Sequence, residues 1–160
     1  LSDTSSTTEN QAASGSLVIA CPTDGVLNRV PVAKLGEDPK CGTCHNPLFQ
    51  RKALVLTSAN FEKHAVKSDL PVVIVFWAAW CGPCRAMSPA FEAAAPLLEP
   101  RVRLAKLDVE AEQAIAGRYG IRSIPSMIMI HHGREIARTA GAMPTPAIVQ
   151  WVEKALATVS

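Results

Sequence analysis

The stretch Val72-Val73-Ile74-Val75-Phe76-Trp77-Ala78-Ala79-Trp80-Cys81-Gly82-Pro83-Cys84-Arg85 decides how this chain folds. Its first part is an unbroken apolar run, rich in β-branched and aromatic residues and entered through Pro71. It reads as a strand buried on both faces, as in a covered parallel sheet. From Arg85-Ala86-Met87 onward the pattern is helical. Cys81 and Cys84 therefore fall at a strand-to-helix junction, on the first helical turn. Unpaired N–H groups and a partial positive charge at a helix start favour a thiolate over a thiol. Two cysteines on one turn can also close a disulfide. The same spacing elsewhere serves metals, so it is the strand-helix setting that points to redox chemistry.

The chain has 160 residues, 48% of them apolar, with a formal charge of +2. That suffices for one well-packed domain and a small appendage. No Lys/Arg stripe with interleaved aromatics suggests nucleic acid. The run from Val72 to Trp80 is far too short to span a bilayer. The N-terminus lacks the basic and apolar regions of a secretory signal. Five cysteines, an odd number, do not make a purely structural disulfide framework. Cys21, Cys41 and Cys44 all lie in the first third.

Outward from the central stretch, residues 1–16 are polar and aperiodic and read as a flexible tail. Residues 17–50 hold short apolar pieces, turn formers and Cys41-Gly42-Thr43-Cys44. They are too few to bury a core of their own. Arg51-Lys52 marks a boundary, and residues 53–160 alternate strands with helices, as an α/β sheet covered on both faces does. Ala53–Leu56 reads as a strand. Thr57 or Ser58 is expected to cap a helix to about Lys67. The helix from Cys81 is expected to reach Leu98 with a kink at Pro89. A strand follows at Arg101–Val109, then a helix from about Glu112 to Tyr119, stopped by Gly120. Ser126–Ile130 is a buried strand, turned at His132-Gly133 into Glu135–Thr139. Thr145 is expected to cap the last helix, with Pro146 in its first turn.

Trp80-Cys81-Gly82-Pro83-Cys84, with Phe76-Trp77 before it and Ile124-Pro125 after it, resembles thioredoxin. The resemblance implies a thioredoxin fold, a central mixed sheet flanked by helices, and a thiol-disulfide oxidoreductase that reduces protein disulfides. It implies Cys81 as the nucleophile and more exposed thiol, and Cys84 as the resolving thiol. Gly82-Pro83 goes with reducing members, Trp80 covers the thiols, and Ile124-Pro125 is a cis-proline loop beside Cys81. Trp80, Ile124, Gly141 and Ala142, with Met143, fall on the family's substrate surface. Lys106 matches a family lysine. Many members carry a buried aspartate six residues before the nucleophile, where this chain has Val75. Proton removal from Cys84 must then use water, Lys106 or the Cys81 sulfur.

Asn28-Arg29-Val30-Pro31 and Cys41-Gly42-Thr43-Cys44 resemble the zinc-binding extension of thioredoxin-2-type proteins, a small zinc-ribbon-like module. The family uses two Cys-x-x-Cys pairs; here the first is Cys21-Pro22-Thr23-Asp24. Cys21, Asp24, Cys41 and Cys44 are the expected ligands of a structural zinc, with His45 a rival fourth. A carboxylate is a harder ligand than a thiolate. His64, His131 and His132 lack ligand spacing and are expected at the surface.

The reading is thus a cytoplasmic protein-disulfide reductase, recharged by thioredoxin reductase and acting on disulfide-containing proteins. It implies no bound organic cofactor, nucleic acid or membrane. Two other classes stay open: a zinc-dependent binding module on a thioredoxin scaffold, and an extracytoplasmic disulfide oxidase or isomerase.

Overall fold

The computed structural model describes residues 15–159. The tail expected over residues 1–16 lies, up to residue 14, outside the described residues, and a strand already begins at Ser16.

The strand expected from the central run is β4 (Val72–Trp77). Side chains alternate across a strand, and both faces of β4 are covered. Val73 and Val75 face one apolar cluster, with Met87, Phe91, Ile148 and Val152. Val72, Ile74 and Phe76 face another, with Phe61, Ala65 and Ile115. This is why the run does not alternate in sequence. Five strands form a mixed sheet in the order β3-β5-β4-β6-β7, from β3 (Leu54–Val55), β5 (Arg103–Asp108), β6 (Ser126–His131) and β7 (Arg134–Ala140). β3 and β4 run parallel to β5, and β6 runs antiparallel to β4 and β7. The β6–β7 turn is His132-Gly133, with φ of 51° and 79°. Two successive positive φ values make the tight hairpin turn whose twist matches the strands.

Helix α1 (Glu62–Lys67) is wound as a π-helix. Its expected Thr57 or Ser58 cap is not formed as such. The Asn60 side chain accepts from the Thr57 N–H at 2.7 Å, and Thr57 Oγ1 accepts from the Ala59 N–H at 3.2 Å. Helix α2 runs Gly82–Leu98 and contains Pro96 as well as Pro89. Helix α3 is Gln113–Arg118, and Gly120 just beyond it has φ 63°. Helix α4 (Thr145–Leu156) has Pro144 at its cap position. The Thr145 hydroxyl donates instead to the Ala90 carbonyl of α2 at 3.0 Å, so it ties two helices together rather than capping one.

Ahead of this sheet, β1 (Ser16–Ala20) and β2 (Leu27–Pro31) pair antiparallel. Ile19, Cys21, Val30, Cys41 and Leu48 form a small cluster that Leu70 completes from the loop before β4. The segment too small for its own core is held by polar contacts to the body. Arg103, at the start of β5, is 3% exposed and donates to the Leu48 and Ala20 carbonyls at 2.7 and 3.0 Å. Its guanidinium also faces the buried Glu99 carboxylate at 3.5 Å and lies over the Phe49 ring. Burial pushes Arg103 down to about 10, against the pull of Glu99, so it stays charged near neutrality. On the opposite side, the Asp69 carboxylate accepts from the Val18 N–H at 2.7 Å. His64, expected at the surface, is buried on the helix α1 that β1 covers.

Candidate active site and metal centre

Cys81 sits at the cap position of α2, with extended backbone angles, and Pro83 occupies the first turn, where a missing N–H costs nothing. Cys81 and Cys84 are joined as a disulfide, with α-carbons 5.3 Å apart. The Cys84 N–H donates to Cys81 Sγ at 3.2 Å, so one of the helix's free N–H groups is spent on that sulfur. The expected difference in exposure is not found: Cys81 is 5% and Cys84 4% exposed, because the bonded pair packs as one unit against Ala78, Trp77, Val109 and Ile124. Gly82 and Pro83 are exposed.

Ile124-Pro125 is a cis peptide, as expected. The Ile124 carbonyl lies 3.8 Å from Cys81 Sγ. The Pro125 carbonyl accepts from the Gly141 N–H at 2.8 Å, which brings Gly141 and the exposed Ala142 beside that loop. Gly141 has φ 99°, a conformation that a side chain would strain. Trp80 is 67% exposed and its indole N–H donates to Glu110 Oε1 at 2.8 Å. The indole is thus anchored outward by a carboxylate. Trp77, Val109 and Ile124 pack directly against the disulfide. Glu110 is a partner that the sequence did not single out.

Beneath Cys84 is a cavity of about 330 Å³ lined by Val75, Met87, Phe91, Glu92 and Lys106 among others. Val75 pairs with Lys106 across β4 and β5. The Lys106 ammonium is 3.7 Å from Glu92 Oε1, and Glu92 Oε2 accepts from the Ala53 N–H at 3.0 Å.

In the N-terminal segment two turns of similar build face each other. In one, the Cys21 N–H bonds the Val26 carbonyl, Gly25 N–H bonds the Cys21 carbonyl, and Thr23 N–H reaches Cys21 Sγ at 3.3 Å. In the other, the Cys41 N–H bonds the Asn46 carbonyl, His45 N–H bonds the Cys41 carbonyl, and Thr43 N–H reaches Cys41 Sγ at 3.4 Å. Gly25 (φ 75°) and His45 (φ 63°) hold matching left-handed positions. Asn28 links the turns, accepting from the Gly42 N–H at 2.8 Å and donating to the Val26 carbonyl at 3.1 Å. The ligand atoms of Cys21, Asp24, Cys41 and Cys44 all lie within 4.8 Å of one another. His45 is exposed and outside that group.

Three sulfurs and a carboxylate suit a borderline-soft divalent cation. Tetrahedral zinc with Zn–S bonds of ~2.3 Å places sulfurs about 3.8 Å apart. The Cys21 and Cys44 sulfurs stand 3.6 Å apart, and Cys41 Sγ is 3.6 Å from the Asp24 carboxylate oxygens. The cluster therefore fits a metal. Backbone N–H donation from Cys44 and the Asn28 amide hold the Cys41 thiol below its usual range, which favours the thiolate a metal needs. Burial pushes the Cys21 thiol the other way.

Comparison with known proteins agrees with this geometry. The thioredoxin family model matches residues 52–154, and the model of the thioredoxin 2 N-terminal zinc ribbon matches residues 20–46. Thioredoxin C-3 of Corynebacterium nephridii is 39% identical over 140 residues, covering 88% of this chain and 96% of the relative. Thioredoxin of Haemophilus influenzae is 34% identical over 103 residues, covering 64% and 96%. Thioredoxin of Chlorobaculum thiosulfatiphilum is 40% identical over 98 residues, covering 61% and 91%. The chain belongs to the thioredoxin family of thiol-disulfide oxidoreductases, with the zinc ribbon of thioredoxin 2 ahead of that domain.

Proposed function

We propose that the chain reduces protein disulfides with Cys81 as the attacking and Cys84 as the resolving thiol. The observation that carries this assignment is the position of Cys81 Sγ, at the helix cap and 3.8 Å from the Ile124 carbonyl. The Cys81 thiolate attacks one sulfur of a target disulfide; a Cys81–target bond forms and the target's other sulfur leaves as a thiolate. Cys84, as its thiolate, then attacks Cys81 Sγ. The Cys81–Cys84 bond forms, the Cys81–target bond breaks, and the target has gained two electrons. An extended target segment would lie along Ile124, Pro125, Gly141 and Ala142, with Trp80 at its edge. A flavoprotein thioredoxin reductase supplies the electrons, in a reducing cytoplasm. Among the described residues no helix is long and apolar enough to cross a membrane.

Residues 17–50 act as a module held by zinc through Cys21, Asp24, Cys41 and Cys44, ahead of the thioredoxin domain at 53–160. Zinc supplies crosslinking free energy to a segment with little core.

The test is reductase-coupled insulin reduction with zinc quantified on the same sample. Cys81→Ser should abolish turnover, and Cys84→Ser should accumulate mixed disulfides with target proteins. Normal turnover by Cys84→Ser would overturn the assignment.

A further inference from the structure

We infer that Glu92 on α2 receives the proton of Cys84, through water in the cavity beneath that thiol, when the mixed disulfide is resolved. The inference rests on the proposed role of Cys84 as resolving thiol.

Resolution needs the Cys84 thiolate, yet Cys84 is a buried residue, so its proton leaves by way of whatever polar groups line the space beside it. The strand beneath it carries Val75, which cannot accept a proton. Cys84 does border the cavity of about 330 Å³. Water occupies ~30 Å³ per molecule in the liquid and needs polar partners, so this space has room and anchors for a short chain. Among the described residues lining it, Glu92 is the one carboxylate. Lys106 from β5 and Arg85 from α2 also line it, and Lys52 and Arg103 line the adjoining pocket that Glu92 and Lys106 share. β4 contributes Val75 and Trp77, neither of which titrates.

Glu92 is held for this task from two sides. Oε2 accepts from the Ala53 N–H at 3.0 Å, which fixes the carboxylate against the chain before β3. Oε1 faces the Lys106 ammonium at 3.7 Å, a distance that leaves it free to take a hydrogen bond from water. The Cys84 proton passes to water and water's proton to Oε1. The Cys84 electron pair then forms the Cys84–Cys81 bond, and the departing target thiolate takes up a proton from solvent. No further oxidant or reductant enters. Lys106 positions the carboxylate.

The reduced full-length protein is mixed with an aromatic disulfide whose released thiolate is coloured. The first release reports attack by Cys81 and the second resolution by Cys84. Glu92→Gln retains an acceptor for the Ala53 N–H but is not basic. It should leave the first release unchanged and slow the second about tenfold at neutral pH. This is less than the roughly hundredfold to ten-thousandfold of direct general-base catalysis, because bulk water remains a substitute. Its second phase should rise more steeply with pH than that of the unmodified protein, and added formate should restore part of the rate. An unchanged second phase in folded Glu92→Gln overturns the inference. So does a slowed phase with the original pH profile and no rescue, which is the mark of a packing effect. Loss of the second phase in Lys106→Met with Glu92→Gln silent would assign the proton to Lys106 instead. Cys84→Ser is the separate control: a second release persisting there would remove the resolving role itself, whatever Glu92→Gln does.

Discussion

Cys41-Gly42-Thr43-Cys44 and Cys81-Gly82-Pro83-Cys84 differ in one inner residue, and both open with the N–H of the fifth residue bonded to the first cysteine's carbonyl. After that turn they part. Arg85 continues as helix α2, whereas His45 has φ 63° and turns the chain away. In the helix the second cysteine stays within bonding range of the first, and the pair closes on itself. In the knuckle the cysteines face outward from the turn toward a second knuckle that brings Cys21 and Asp24. Spacing sets which sulfurs can meet; the backbone after the second cysteine decides whether they meet each other or a metal.

The sharpest way to test that difference is to remove the metal. Chelation should disorder residues 17–50, since the site's apparent binding free energy in such modules is on the order of 10 kcal/mol. The domain bearing Cys81 and Cys84 should keep its cooperative unfolding, followed by amide hydrogen exchange. Exchange protection persisting across β1 and β2 after complete zinc loss would mean that Arg103 and Leu70 suffice to hold the module.

Arg103 is where the two regions are joined, so Arg103→Met should couple them. It removes two buried hydrogen bonds and strands the Glu99 carboxylate, already pushed above its ordinary range by burial. Breaking one side of a buried pair costs about 3–5 kcal/mol. Urea unfolding should show that loss, and Arg103→Met/Glu99→Gln should recover part of it. A change under 1 kcal/mol, an estimate for an exposed pair, would mean that the contact is not maintained in solution.

His64 gives the seam a pH dependence. Burial, with Arg103 nearby, pushes it down to about 4 from an ordinary value of about 6.5. The unfolded chain binds this proton more readily, so the contribution is complete above pH 6.5, falls as pH drops toward about 4, and is flat below. The span corresponds to roughly 3 kcal/mol. His64→Leu should flatten that part of the stability profile; the same acid slope in the variant would assign it elsewhere.

Asp24→Ala should weaken zinc retention by at least the ~100-fold that loss of even an outer partner can cost. Asp24→Cys should match or exceed the unmodified site, and His45→Ala should do neither. Zinc stoichiometry after mild chelation measures all three. Full retention in Asp24→Ala with loss in His45→Ala would exchange the two residues' roles.

The sequence by itself determined the elements whose signals are local. An apolar run ending in Cys-Gly-Pro-Cys, and turns marked by Gly120 and His132-Gly133, place β4, the start of α2 and the β6–β7 hairpin within a residue or two. Resemblance to the thioredoxin-2 extension also named Cys21, Asp24, Cys41 and Cys44, with Asp24 standing where that pattern has its second cysteine. It favoured Asp24 and kept His45 as a rival, since which of the two faces the cysteines depends on a φ angle and on how the two turns are set against each other. Only the tertiary structure made Arg103 a clamp, His64 a buried base, Thr145 a link to α2 and Glu92 a neighbour of the Cys84 cavity. Arg103 meets Ala20 across 83 positions of chain, and Glu92 meets Lys106 from a helix to a strand. A charged residue carries no mark in sequence of whether water or a distant carbonyl will surround it, because burial is decided by how separate elements pack.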